Sequence, residues 1–352
     1  MGEIGVTFLT EGGQRAEDIL AQLIAFVGAA TKTLDLAVYD AHLEGGGGDQ
    51  LIAALNQAEG RGVTVRAVYN DVARKDPPIP PPPSGPSLLQ QLANAVPAKA
   101  ISGIPDLMHH KYVIRDRADV WTGSTNWSTD SWTKMENVIL TIPSPDLAAA
   151  YTQDFEQLWG KQHVEHTGTF DDSPSPDVTY DNVKAPTRAL FSPGRGKTMS
   201  QLVATRLGQA RHRIRICSPV ITSSPILGTL AEVLDDKRCD TLVTVDGPQM
   251  EQALSQWRQD GRVSWKGPLF DKVRSSGVLA EKHSTPWGPA TVHDFMHAKV
   301  VVCDDWVLTG SYNCSHSGEF NAENLLEIRS QAFADRCAAF CEEVHQRYRS
   351  AR

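Results

Sequence analysis

Cysteine is missing from the whole first half of the chain. Six follow later, at Cys217, Cys239, Cys303, Cys314, Cys337 and Cys341. None forms a C-x2-C pair, which leaves no zinc-ribbon spacing and no dense disulfide framework. Cys337 and Cys341 stand one helical turn apart and read as buried structural thiols. Long apolar runs are also lacking. The longest, AQLIAFVGAA from Ala21, is too short to cross a bilayer and reads as one face of a helix. The start, MGEIGVTFLTEGG, has no basic region, apolar core or small-residue cleavage site, and Val6 stands where a myristoylation signal wants Ser or Thr. A cytoplasmic location is the expectation. Positive charge is scarce as well: 34 Lys and Arg against 42 Asp and Glu give a net charge of −8. That balance excludes a broad basic field holding nucleic acid or an anionic membrane by bulk attraction, and leaves room only for a local basic patch in a cleft.

What is present is repetition. The chain of 352 residues, 41% hydrophobic and 22% charged, has the composition of an ordinary globular protein and the length for two domains. The stretch MHHKYVIRDRADVWTGSTNWS from Met108 is echoed by MHAKVVVCDDWVLTGSYNCS from Met296. The echo extends upstream. VTFLT matches ALFSP at Ala189, KTLDLAVYD matches HRIRICSPV, and VTVRAVYND matches TLVTVDGP, with helical runs between. Each half reads β-α-β-α-β before its motif, which predicts an α/β fold of two pseudo-symmetric lobes, each a mixed sheet flanked by helices. The expected division is an N-terminal lobe over 1–165, a linker of turn formers and acids over 166–187, and a C-terminal lobe over 188–352. DPPIPPPPSGPS at 76–87 favours polyproline II and reads as a rigid rim loop or a partner-binding segment.

Within each motif, KYVIRD and KVVVCD are β-branched runs ending in a carboxylate, and a short turn leads to VWTGS or WVLTGS. Each motif is therefore expected to be a β-hairpin. Residues two apart share a strand face, so His109 with Lys111, and His297 with Lys299, aim an imidazole and an ammonium at one spot. Taken singly these residues suit packing or solvation. Two copies of His-x-Lys-x4-Asp, each followed by Gly-Ser-x-Asn and then Glu-Asn, do not.

The doubled pattern resembles the phospholipase D superfamily, whose signature is H-x-K-x4-D-x6-G-S-x-N in two copies. The first copy fits throughout, at His109, Lys111, Asp116, Gly123, Ser124 and Asn126. The second fits at His297, Lys299, Asp304, Gly310, Ser311 and Asn313, but only five residues separate Asp304 from Gly310. This shortens the hairpin turn by one. The resemblance implies that one histidine attacks phosphorus to form a phosphohistidine while the other protonates the leaving alkoxide. His109 is expected to attack and His297 to be the acid. Lys111, Lys299, Asn126 and Asn313 would hold the phosphoryl oxygens, with Ser124 and Ser311 supporting. Glu136 and Glu323, in ENVIL and ENLLEI, are where the family places a carboxylate hydrogen-bonded to an imidazole. Asp116, Asp304, Gly123 and Gly310 are structural in that scheme, and His110 faces away from the site. Neither metal nor cofactor is needed.

The superfamily shares one site across phospholipids and nucleic acids, so the motif leaves the substrate open. The first motif resembles the short nuclease and cardiolipin-hydrolase branch. The reading leans to a nuclease on single-stranded nucleic acid. A phospholipase D or phosphatidyltransferase is the alternative, with peripheral membrane contact, and a non-catalytic phosphate-binding scaffold is a remote third. Trp121, Trp127, Trp132, Trp265, Trp287 and Trp306 could stack on bases, meet acyl chains or fill the core. The loop at 275–294, with Lys282, His283, Trp287 and His293, is a candidate rim. One chain with both motifs is expected to act as a monomer.

Overall fold

The computed structural model describes residues 2–71, 86–103, 105–170, 176–286, 288 and 291–349. The first half runs β1 (Gly5–Leu9), α1 (Ala16–Gly28), β2 (Thr33–Val38), β3 (Ala41–His42), α2 (Gly47–Gly60), β4 (Thr64–Asn70) and α3 (Pro86–Ala95). It continues through β5 (Ala98–Ile101), β6 (Lys111–Arg115), β7 (Asp119–Gly123), β8 (Trp127–Ser128), α4 (Thr129–Thr133), β9 (Asn137–Pro143) and α5 (Pro145–Lys161). The second half runs β10 (Asp177–Tyr180), β11 (Val183–Ser192), α6 (Gly196–Gln209), β12 (Arg213–Cys217), α7 (Ser224–Asp236), β13 (Asp240–Asp246) and α8 (Gly247–Gln259). After it come α9 (Lys266–Ser275), β14 (Leu279–Lys282), β15 (Val300–Cys303), β16 (Trp306–Gly310), a 3-10 turn (Ser317–Glu319), β17 (Glu323–Arg329) and α10 (Gln331–Arg349).

The first sheet has the order β1-β9-β7-β6-β2-β4-β5, and the second β10-β11-β17-β16-β15-β12-β13-β14. Apart from β10, the two correspond strand for strand, as the repeat demands. Both are mixed: β2, β4 and β5 run parallel, as do β12, β13 and β14, while the motif hairpins pair antiparallel. The expected α/β architecture of two related lobes is the one found. The stretch 166–187 does more than connect: β10 and the beginning of β11 lie in it, because VTY and VKAPT alternate well enough to form a hairpin there. The proline stretch falls largely outside the described residues, as does Trp287.

Packing comes in three apolar layers. The outer face of the first sheet is covered by α1 and α2 through Leu20, Leu23, Leu51 and Leu55, and that of the second by α6 and α7 through Val203, Leu207, Leu227 and Leu230. The middle layer belongs to both lobes. Leu147, Tyr151 and Phe155 of α5 and Phe333, Cys337, Phe340 and Val344 of α10 share one core with residues from both sheets. Phe8 of β1 stacks on Phe340 at 4.6 Å between ring centres. Trp121, Trp127 and Trp132 lie in the outer core of the first lobe, and the guanidinium groups of Arg206 and Arg329 lie over the Trp306 ring at 3.4 and 5.4 Å. All six cysteines are free thiols, and five of them are buried.

Candidate active site

Each motif hairpin is closed by its aspartate. Arg115 pairs with Asp119 across a three-residue turn, and Cys303 pairs with Trp306 across a two-residue turn. That single residue accounts for the shorter second spacer, and the strands on either side keep their register. Asp116 adopts a left-handed conformation (φ 54°) and accepts from the backbone N–H groups of Thr31, Lys32 and Thr33 at 2.9, 2.6 and 2.9 Å. Asp304 (φ 54°) does the same for Arg211, His212 and Arg213 at 2.9, 2.9 and 3.0 Å. These amides hold both carboxyls below their ordinary value, even against partial burial. Both aspartates tie the hairpin tip to the start of β2 or β12.

At the other end of each hairpin, Gly123 and Gly310 have φ of 145° and 144°. A Cβ at Gly123 would sit 2.1 Å from the Val138 carbonyl, and one at Gly310 would sit 2.4 Å from that of Asn324. Only glycine fits both the dihedral and the approach.

The residue before each histidine is anchored from the end of the next strand but one in its sheet. Asn70, ending β4, accepts from Met108 N–H at 2.9 Å, and Asp246, ending β13, accepts from Met296 N–H at 3.0 Å. Asp246 also caps α8, accepting from Gln249 N–H at 3.2 Å. Neither anchor was singled out in the sequence, although each ends a matching strand of the repeat. The motifs then cross between lobes: Met108 bridges Ala322, and Glu136 bridges Met296.

His109, His297, Asn126 and Asn313 thereby line one cleft of about 980 Å³, two residues from each half. Lys111 and Lys299 lie just beneath, buried, each ammonium donating to the carbonyl two residues back, of His109 at 2.5 Å and of His297 at 2.7 Å. The side-chain carbonyls of Asn126 and Asn313 are buried with no hydrogen-bond partner among the described residues. Tyr39 closes one side, 4.5 Å from the His109 ring and 4.6 Å beneath the Lys111 ammonium.

The two imidazoles differ in what backs them. His109 Nδ1 lies 2.7 Å from Glu323 Oε1, a fully buried carboxylate from the other lobe. His297 Nδ1 lies 3.0 Å from Asn137 Oδ1. Glu136, expected to serve an imidazole as Glu323 does, is turned elsewhere. It takes the Lys282 ammonium at 3.0 Å and the Tyr348 hydroxyl at 2.5 Å. Ser124 and Ser311 also face inward rather than toward the cleft. Ser124 donates to Asn137 Oδ1 at 2.7 Å, and Ser311 Oγ accepts from Asn324 N–H at 3.0 Å. His110 is buried on the opposite strand face against Asp154 at 3.1 Å. Of the expected rim residues, Lys282 is buried in the ion pair with Glu136, His283 is exposed, and His293 lines the cleft.

Burial, reinforced by the two lysines, pushes both His109 and His297 well below their ordinary value. Burial brings Lys111 down to about 7, and burial with Lys111 nearby pushes Lys299 well down. Glu323 and Asp40, the carboxyls that act on Lys111, are raised by burial to about 7 and about 6. Burial thus works against positive charge on the two histidines that line the cleft and on the two lysines beneath it.

Comparison with known proteins agrees with this geometry. The family model described as cardiolipin synthase, PLD-like domain, matches residues 23–159 and 203–344, one segment in each half. A mitochondrial cardiolipin hydrolase from Chlamydomonas reinhardtii is 27% identical over 141 residues, covering 40% of this chain and 57% of that protein. One from Xenopus tropicalis is 42% identical over 53 residues, covering 15% and 25%. The chain thus matches about half the length of the first of these relatives and a quarter of the second. Among solved structures, phosphatidylserine synthase from Haemophilus influenzae superposes with a TM-score of 0.65 at 13% identity, covering 97% of this chain and 85% of that one. Polyphosphate kinase from Porphyromonas gingivalis superposes at 0.59 and 10% identity, covering 97% and 50%. With both halves matched and a complete motif in each, the chain belongs to the phospholipase D-like family that this model describes.

Proposed function

We propose that this chain cleaves a phosphodiester in two displacements through a phosphohistidine on His109. In the first, the His109 Nε2 lone pair forms a bond to phosphorus, the bond from phosphorus to the leaving oxygen breaks, and His297 Nε2 gives that oxygen its proton. In the second, neutral His297 takes a proton from water or an alcohol, the new oxygen bonds to phosphorus, and the N–P bond breaks. The observation that carries this reading is the unequal backing of the two histidines. A carboxylate 2.7 Å from Nδ1 stabilises the positive charge that His109 acquires on attack. A neutral amide on His297 leaves that imidazolium the readier proton donor. Lys111 and Lys299 supply positive charge beneath the phosphoryl oxygens, and the amides of Asn126 and Asn313 supply directed donors.

For the substrate we favour a phospholipid over single-stranded nucleic acid. The cleft wall beyond the histidines is largely apolar, with Leu107, Val220, Val263, Phe295 and Phe320 among its residues. Arg262 and Lys266 are the cations on that wall, too few to track a phosphate backbone. Among the described residues, the most exposed large apolar side chains include Phe320 at 39%, which lines the cleft, and Trp265 at 50% and Val292 at 43%, each next in sequence to a residue that does. Such a rim suits peripheral contact with a lipid surface, with the chain acting as a monomer. The family description and the names of the curated relatives point the same way.

Two measurements test this. Acid quenching during turnover, followed by mapping of the labile phosphoryl adduct, is expected to place it on His109. An adduct on His297 reverses the roles, and activity surviving the double change His109→Ala with His297→Ala ends the mechanism. A parallel assay of cardiolipin-containing vesicles and labelled single-stranded DNA and RNA is expected to release product from the vesicles alone. Strand cleavage without lipid turnover restores the nuclease reading.

A further inference from the structure

The site holds two copies of a Glu-Asn pair, Glu136-Asn137 and Glu323-Asn324, used in opposite ways. In the second copy the glutamate takes the histidine. In the first the glutamate is engaged by Lys282, Tyr348 and the Glu11 backbone N–H, at 3.0, 2.5 and 3.3 Å, and cannot also serve an imidazole. The asparagine stands in its place.

The orientation of Asn137 follows from its neighbours. Its Nδ2 lies 3.0 Å from the Ser131 carbonyl, an atom that can only accept, so the amide nitrogen must face it. The carbonyl oxygen then faces His297 Nδ1 at 3.0 Å and the Ser124 hydroxyl at 2.7 Å. Ser124 in turn accepts from Val138 N–H at 2.9 Å. Every polar atom in this buried chain is satisfied in that one arrangement, which leaves His297 Nδ1 only one role, that of donor. The twin Asn324 points the other way, its Nδ2 toward His110 Nδ1 at 3.2 Å and its Oδ1 accepting from Tyr151 at 3.1 Å.

We propose that Asn137, and not Glu136, is the positioning residue for His297: it holds the neutral ring as the Nδ1–H tautomer with Nε2 toward the cleft. A neutral acceptor orients the ring without the stabilisation a carboxylate gives an imidazolium, which makes the pair of histidines unlike by construction. The inference builds on the proposed phosphoryl transfer, because it explains how two nearly identical motifs acquire different duties. The titratable groups around His297 are Lys299 two residues along, Lys111 and His109 from the facing motif, His293 and Asp40 on the cleft walls, and Asp246 and Glu136 at Met296. Among the described residues, the hydrogen bond at Nδ1 is the one to Asn137 Oδ1.

The test is nitrogen NMR on the full chain with labelled histidine, which needs no substrate. In the unaltered protein, His297 is expected to show the Nδ1–H tautomer when neutral. An Nε2–H tautomer overturns the proposal directly, with no variant involved. Asn137→Asp, nearly isosteric, should raise the His297 pKa by about one to three units, as an added buried carboxylate does, and should shift the pH profile of turnover in parallel. Glu136→Gln should leave the His297 resonances in place. If Glu136→Gln moves them and Asn137→Asp does not, the glutamate is the partner and the inference fails. Because tautomer and pKa are read without turnover, this failure is distinct from that of the reaction, which is a missing phosphohistidine.

Discussion

Replacing Glu323 by glutamine removes one charge and little else. The carboxylate is fully buried 2.7 Å from His109 Nδ1, and glutamine fills the same volume and can still accept from the ring. At an effective dielectric constant of about 20, unit charges at that separation interact by roughly 6 kcal/mol. Two features reduce the loss. Lys111 and Lys299 already share the carboxylate's field, and its pKa of about 7 leaves part of the population neutral at neutral pH. A loss near 4 kcal/mol remains, or about 10³-fold in kcat, roughly tenfold less than when a triad carboxylate becomes an amide. Stability should hold or improve, since an expensive buried charge is gone. The contrasting variant is Glu136→Gln. Among the described residues it leaves the buried Lys282 ammonium with Glu11 alone as a charged partner, and it should cost about 2–3 kcal/mol in unfolding, with kcat changed less than tenfold. Steady-state kinetics on a soluble chromogenic phosphodiester, with denaturant melts of both proteins, make the comparison. The reasoning is refuted if Glu323→Gln stays within tenfold of the parent, or if Glu136→Gln loses as much kcat as it does.

Three further outcomes are expected. Inorganic phosphate or tungstate binds the protonated site, and burial has brought Lys111 down to about 7; affinity measured by calorimetry should therefore fall as pH rises through 7, by at most about tenfold per unit for each proton taken up, and a flat profile would count against a buried cationic cradle. Gly310→Ala must move a Cβ away from the Asn324 carbonyl 2.4 Å distant at φ 144°, so it should cost about 3 kcal/mol or more and abolish turnover, whereas Gly267→Ala, with open space around it, should be close to neutral. Turnover should survive exhaustive dialysis against EDTA, because Lys111 and Lys299 provide the charge a divalent ion would bring, and recovery of lost activity by an added divalent ion would contradict this.

Much of the frame was legible in the amino-acid sequence because it depends on local periodicity. KYVIRD and KVVVCD announce strands, and the two aspartates mark their turns. The duplicated order of strands and helices predicts two matching sheets. The one-residue difference between spacers maps onto turn length, where backbone is cheapest to remove. Pairing across the lobes was not legible, because it depends on contacts between residues more than 150 positions apart. Nothing in ENVIL and ENLLEI distinguishes the glutamate that serves a histidine from the one claimed by Lys282 and Tyr348. Lys282 looked like a rim cation because its neighbours are loop formers, yet it ends β14 and is buried beneath the first lobe. Trp257, on the cleft wall, carried no signal beyond the ordinary spacing of α8.

The crossed partnership of the histidines has a consequence for synthesis. His109 emerges from the ribosome more than two hundred residues before Glu323, and His297 draws its acceptor from a strand made long before it. A half-made chain therefore has one motif complete in sequence and no carboxylate behind His109. Cleavage before β17 would part the two in the same way. On the proposed mechanism, reactivity is expected to begin only once β17 has been made and docked.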